Sequence, residues 1–344
     1  MAVRRNMKFS LPRMQRGLTR WIIVLVVLAL FPVIGIPHSW LLYIFLFFIY
    51  LAMANMWNLL AGYSGLIMLC PAAFIGLGGY TMTILTWPPF NMPVFVGVIA
   101  GGIVAALFAA LISIPVFRLR GIYFAIGTLV VPEILRVIFL LWRPVGGALH
   151  GGGAGYMVKG VTGITMTEVY WFALVIGFIS IFLMRYILRS KLGLGLAAIR
   201  DNDVSASSTG INIFNVKLTA FAIAAFVMGI AGCIFYIFQG YIEPSSAYGI
   251  RWLLTCLLAT VIGGEGIEEG PILGTIVVVF LHFFLARYAG ISLLIQGVIL
   301  IIIMLFLPQG ILGAIRGIRG PGLLSRLRLA SRSSNPGTNE ATED

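Results

Sequence analysis

A succession of long apolar runs separated by short polar turns constrains this chain more than any motif. A helix rises 1.5 Å per residue, so about 20 residues cross a hydrocarbon core of about 30 Å. Ten runs approach that length: 19–36, 40–60, 65–87, 93–117, 121–142, 168–188, 216–239, 250–264, 271–287 and 290–307. The eighth is short for a full crossing and reads as a half-span or a tilted, broken helix, so the expected count is eight to ten. Composition agrees, because 60% of the 344 residues are apolar and 10% are charged, against about 25% charged in a soluble domain. So little charge cannot cover a water-facing surface. The expected fold is all-α: a polytopic helical bundle in a membrane. The first run lacks a small-residue cleavage site after it and reads as a retained span. Gly97 and Gly101 form a small-xxx-small pair of the kind that lets membrane helices approach closely.

Lys and Arg give the orientation, because cytoplasmic loops carry their excess. With the basic segment 1–18 inside, alternating loops put 18 of the 23 basic residues inside and four outside, and leave Arg136 within a span. Both termini are then cytoplasmic. The net charge of +12 follows from this placement. No helix-turn-helix, zinc spacing or aromatic RNA motif accompanies it, so nucleic acid is not an expected partner. The membrane domain is expected over 19–312. From 313 the chain turns polar and ends in Glu340, Glu343 and Asp344, which predicts a disordered cytoplasmic tail over 313–344. Cys70, Cys233 and Cys256 all lie in apolar runs and read as buried hydrophobes, not as metal ligands.

Two stretches inside the spans break the simple pattern. Residues 61–81, AGYSGLIMLCPAAFIGLGGYT, are apolar yet hold Gly62, Gly65, Pro71, Gly76 and Gly79. Proline in a helix interior removes a hydrogen bond and clashes with the preceding turn. Backbone freed in a membrane must be buried in protein or face water. The stretch reads either as a broken helix lining a translocation pathway or as a kinked, tightly packed helix. In the fifth run, Glu133 and Arg136 share a helix face about 20 Å from its start. Charges at that depth face a cavity or one another, so the pair is either a pathway lining or gate, or a structural ion pair. The Gly-rich outer loop 143–167 lacks the ending of a phosphate cradle, and His150 there reads as solvated.

The longest inner loop, 189–215, reads RSKLGLGLAAIRDNDVSASSTGINIFN. Residues 194–209 can form a short surface helix, with Asn202 or Asp203 capping a second turn. Connections in compact domains usually run about 2–8 residues. An insertion of this length with small apolar residues points to a docking element for a cytoplasmic partner, although a solvated connector would also fit it.

Five stretches taken in order resemble the LivM-type permease family of branched-chain amino-acid ABC importers, over about residues 50–313. They are NLLAGYSG (58–65) with AAFIGLGGYT (72–81), FRLRGIYFAIGTLVVPEILR (117–136), AIRDNDVSASSTGINIFNVKLTAF (198–221), VIGGEGIEEGPILGT (261–275) and LFLPQGILG (305–313). Leu69-Cys70-Pro71 stands where the family often has Gly-His. The resemblance implies that 198–215 is the coupling helix seated in an ATPase cleft, with Arg200, Asp201, Asp203, Ala206 and Gly210 as the residues of this coupling loop. Ala206 and Gly210 match the last Ala and the Gly of the general importer pattern, while Val204 and Ser205 replace its first two positions.

The same resemblance implies a transport subunit without enzymatic activity in a bacterial inner membrane. Its implied partners are two cytoplasmic ABC ATPase subunits, a paralogous LivH-like permease and a periplasmic substrate-binding protein. ATP and Mg would bind the ATPases, and this chain would bind no cofactor. None of Lys8, Lys159, Lys191 and Lys217 completes a P-loop. Arg143 and Arg251, on outer loops, are candidates to dock the binding protein. Urea or short amides are alternative cargo within the same class. A secondary transporter is the rival from another class, and it would lean on Glu133, Arg136 and His282 for ion coupling.

Overall fold

The computed structural model describes residues 25, 27–32, 37–119, 121–146, 150–161, 163–286, 290–307 and 309–319. The expected segment 1–18 and residues 320–344 lie outside them. Of the run 19–36, residues 25 and 27–32 are described, and 25 and 27–30 are helical. The helices are α1 (His38–Ser64), α2 (Pro71–Thr86), α3 (Val94–Val116), α4 (Ile122–Leu141), α5 (Met166–Arg189), α6 (Lys191–Asp201), α7 (Asp203–Ser208), α8 (Ile213–Gln239), α9 (Pro244–Ala247), α10 (Arg251–Gly263), α11 (Gly270–Leu285), α12 (Ser292–Phe306) and α13 (Gly310–Arg319). A two-residue antiparallel ribbon pairs β1 (Tyr156–Met157) with β2 (Tyr241–Ile242).

Among the described residues seven helical segments are long and apolar enough to cross a membrane. With α2 and α11 they account for nine of the ten expected runs. The chain is therefore a multi-pass all-α membrane protein. The eighth run becomes the 13-residue α10, preceded by the single turn of α9.

Two boundaries differ from expectation. Run 65–87 is not one helix. Gly65 adopts φ +69° and closes α1, a left-handed conformation that glycine takes without steric penalty. Residues 65–70 then run outside any helix, and α2 starts only at Pro71, where the missing N–H breaks no ladder bond. The break thus precedes Pro71 instead of being caused by it. Residues 313–319, expected in the tail, belong to α13. Ile311, Ile315 and Ile318 recur at helical spacing, and the glycine that opens this helix packs against Gly264.

Helix α1 is the central post and packs on α5, α8, α10 and α11. Most of it is buried inside the chain, so its apolar residues serve a protein core and not lipid. A second seam joins α2, α3 and α8. There Gly101 is so close to α2 that a Cβ would sit 2.7 Å from the Gly78 carbonyl and 2.6 Å from Cys233 Sγ, which explains the small-residue spacing of Gly97 and Gly101. Two buried polar groups are paired across helices: Asn55 donates to Ser180 Oγ at 3.0 Å, and Thr260 donates to the Ala54 carbonyl at 3.3 Å. At one end of the bundle lie α6, α7 and the 264–269 turn. The other end carries β1 and β2, where the Trp87 indole donates to the Met157 carbonyl at 2.8 Å.

Candidate coupling and translocation site

The 189–215 loop folds as two helices, each started by a side-chain cap. Ser190 accepts from Leu192 N–H at 3.2 Å. Asn202 accepts from Val204 and Ser205 N–H at 2.9 and 3.2 Å, so Asn202, not Asp203, is the cap. Asp203 instead receives Lys217 Nζ on both carboxylate oxygens at 3.1 Å, which ties α7 to the first turns of α8. Ala206 is buried, 3% exposed. Leu194 and Val204, by contrast, are 72% and 71% exposed. Gly210 ends the element at φ +84° with open space where a side chain would project.

Arg200 points into the bundle. Its guanidinium donates to the Gly62 carbonyl in the last turn of α1, where a cation also complements the helix dipole. It also borders the 264–269 turn, which Asn58 pins by donating to the Ile267 carbonyl at 3.0 Å and accepting from Gly266 N–H at 2.8 Å. Arg185, near the end of α5, pairs with Glu268 and lies 3.9 Å from Glu269. Burial pushes the Glu265 carboxyl above its usual range, and Arg200 pulls it partly back. In the sequence this turn stands out only as part of the family-like stretch 261–275. The signal that would have found the network is its acidic cluster, Glu265, Glu268 and Glu269, set against Arg185 and Arg200.

The break at 65–70 is held between α1 and α4. The Trp57 indole donates to the Met68 carbonyl at 2.9 Å, and Leu69 N–H donates to Thr128 Oγ1 at 3.0 Å. Non-helical backbone at membrane depth thereby finds partners in protein. Two cavities lie along it. One, of about 810 Å³, opens beside α6 and α7 and is lined by Gly65, Ile67, Asp201, Asp203 and the first turn of α4. The other, of about 350 Å³, is lined by Leu69, Ala72, Leu129 and Glu133. The same stretch of chain and the same helix α4 thus border both.

The other expected translocation residues separate into two groups. Glu133 and Arg136 form an i,i+3 pair in which Nε lies 3.0 and 2.9 Å from the carboxylate oxygens. It stands on the outer side of α4, with side chains 57% and 34% exposed. Gly62, Gly76 and Gly79 are close-packing positions: a Cβ would run into Asn58 and Gly266, the Tyr248 ring and the Tyr236 ring respectively. Arg143 is exposed at the β1–β2 end beside Gly152. Arg251 is not on an outer loop but is the first residue of α10, inside an apolar 20-residue segment.

Comparison with known proteins places this architecture. The family model for the branched-chain amino acid transport system permease component matches residues 39–308. The permease protein LivM of the high-affinity branched-chain amino acid transport system of Salmonella typhimurium is 28% identical over 289 residues, covering 77% of this chain and 68% of the relative. A probable LivM of Methanocaldococcus jannaschii is 22% identical over 230 residues, covering 62% and 67%. The autoinducer 2 import system permease LsrC of Salmonella typhi is 26% identical over 178 residues, covering 50% and 49%. No solved structure matches the chain significantly. These relatives are transport subunits, not enzymes, and the permease family carries no cofactor of its own. The match over most of the chain settles its membership: it belongs to the branched-chain amino acid transport permease family.

Proposed function

We propose that this chain is one half of the membrane pathway of an ATP-driven importer for branched-chain amino acids in a bacterial inner membrane. One observation carries the reading beyond family membership. Leu194 and Val204 stand exposed on a capped helix pair otherwise fastened to the bundle by Lys217 and Arg200. Apolar side chains on a polar end surface suit a protein cleft better than water. Two cytoplasmic ATPase subunits, holding ATP and Mg, would grip this pair. Their closure would move α6 and α7, and with them the α1 terminus and the 264–269 turn. Rocking between outward-open and inward-open forms then follows the usual logic of alternating access.

The translocation path is assigned to the α4 side of the molecule. Gly65, Pro71, Glu133 and Arg136 belong to this side, whereas Gly62, Gly76 and Gly79 shape the packing behind it. A charge pair cannot rest against lipid at mid-span without large cost. A second, LivH-like permease covering α4 would shelter it and close the recess. A periplasmic binding protein would deliver cargo to the β1–β2 end, with Arg143 among its contacts.

A second reading concerns cargo alone. One relative is named for autoinducer 2 import, so similar permeases are named for different cargo, and urea or a short amide is the alternative cargo here. Reconstitution in liposomes with the two ATPases, the second permease and the binding protein separates the two. ATP-dependent uptake of leucine, isoleucine and valine above that of urea supports the first reading. The reverse order supports the second.

A further inference from the structure

We propose that Arg251 anchors the cargo's carboxylate in a cavity between α1, α8, α10 and α11, which makes an α-amino acid, not a neutral amide, the class accepted there. This rests on reading the chain as an importer subunit. The cavity measures about 500 Å³ and is lined by Tyr50, Phe235, Glu243, Arg251, Trp252 and His282 among others. Its depth follows from three helices. By helical rise Arg251 stands about 18 Å from the inner end of α10, His282 about 18 Å from the start of α11, and Tyr50 about 21 Å from the end of α1. All three count from the coupling end, so the cavity lies at membrane depth.

Arginine stays charged under all ordinary conditions. Among the described residues no carboxylate forms an ion pair with Arg251. A cation at this depth without a counter-ion is expensive and marks a ligand pathway. A planar carboxylate is the anion whose geometry matches the guanidinium fork. The remaining lining fits the rest of an α-amino acid. Glu243 and Gln239 stand at the β2 side of the cavity and suit an ammonium group. Phe235 and Trp252, packed edge to face at 4.7 Å, offer an apolar wall, and the Trp252 indole is fixed by donating to the Ser246 carbonyl at 3.0 Å. His282 Nε2 is buried without a partner, a further polar atom in the lining. Urea has no use for a fixed cation.

The cavity also neighbours a second one. Ile250 lines both it and the recess beside Glu133, and the 65–70 break and α4 border both that recess and the large cavity at the coupling end.

The test uses the assembled importer in proteoliposomes, carrying Ser245→Cys in this chain, with alkylation by a small maleimide as readout. Leucine at about four times its Kd is expected to slow alkylation about fivefold by occupancy. Leucinamide and urea, which lack the carboxylate, should leave the rate unchanged. Arg251→Gln should abolish the protection, and Arg251→Lys should retain part of it. Equal protection by leucinamide, or none by leucine with Arg251 in place, overturns the proposal, and neither result depends on an Arg251 variant folding. ATP-dependent uptake is measured in the same vesicles. Uptake without protection overturns this site and leaves the importer reading intact, whereas protection without uptake supports the site and overturns that reading.

Discussion

Arg200 and Gly62 are joined by a hydrogen bond from guanidinium to carbonyl across 138 residues of sequence. It links the α6–α7 pair to the last turn of α1, the central post. Arg200→Ala leaves α6 and α7 able to meet a partner but weakens their link to the end of α1. ATP hydrolysis should persist while transport per ATP falls about tenfold, a loss in line with one charged hydrogen bond. Arg200→Lys should recover part of the coupling. Parallel assays of phosphate release and uptake check this, and equal losses in both would contradict it.

Gly210 supplies a backbone conformation, not a contact. Its φ of +84° costs a residue with a Cβ about 1–2 kcal/mol, while open space surrounds the position. Gly210→Asn should transport nearly as well as wild type, because asparagine tolerates this region. Gly210→Val should uncouple hydrolysis from uptake without lowering membrane insertion. A Gly210→Asn variant as impaired as Gly210→Val would point to a direct partner contact at this position instead.

Two glycines should respond in opposite senses to one methyl group. A Cβ on Gly78 would collide with the Gly229 backbone of α8, and backbone cannot move aside as a side chain can. Gly78→Ala should destabilise the subunit by at least about 2 kcal/mol. Gly297, inside α12, has nothing within 4 Å, so Gly297→Ala should be neutral or stabilise by up to about 1 kcal/mol. Thermal stability in detergent, read as the fraction remaining monodisperse after heating, distinguishes the two.

Glu265 predicts a pH effect with a definite sign. Its carboxyl is raised on folding by burial, with Arg200 opposing. A carboxyl raised on folding is penalised when ionised, so its contribution is most favourable at low pH and is lost as pH rises through and above the ordinary carboxylate range. Glu265→Gln should therefore be more thermostable than wild type at neutral pH. The difference should vanish once pH falls below that range. A variant less stable at neutral pH would show that the attraction to Arg200 outweighs burial.

The spans were legible because lipid demands long apolar helices, and 94–116, 122–141 and 213–239 fall within a few residues of their expected limits. The cap was legible as Asn202 or Asp203 for a local reason, since a capping oxygen needs only the next turn, and the structure selects Asn202. The break was visible but misplaced. Pro71 looks like the disruptor, yet Gly65 ends α1 six residues earlier. What a helix faces could not be read at all. Three-residue spacing puts Glu133 and Arg136 on one side of α4 without saying whether that side looks inward. The pinning of Gly266 and Ile267 by Asn58, across more than 200 residues, left no local pattern. Arg251 read as a loop residue at the edge of the run 250–264, whereas the fold makes it the first residue of α10.

The most direct test of the central claim is the energy source for uptake in sealed proteoliposomes holding this chain and its proposed partners. Leucine uptake should require ATP on the ATPase side, should stop when this chain is omitted, and should not be driven by an imposed proton gradient alone. Uptake sustained by the gradient without ATP would contradict the account and mark the chain as a secondary transporter.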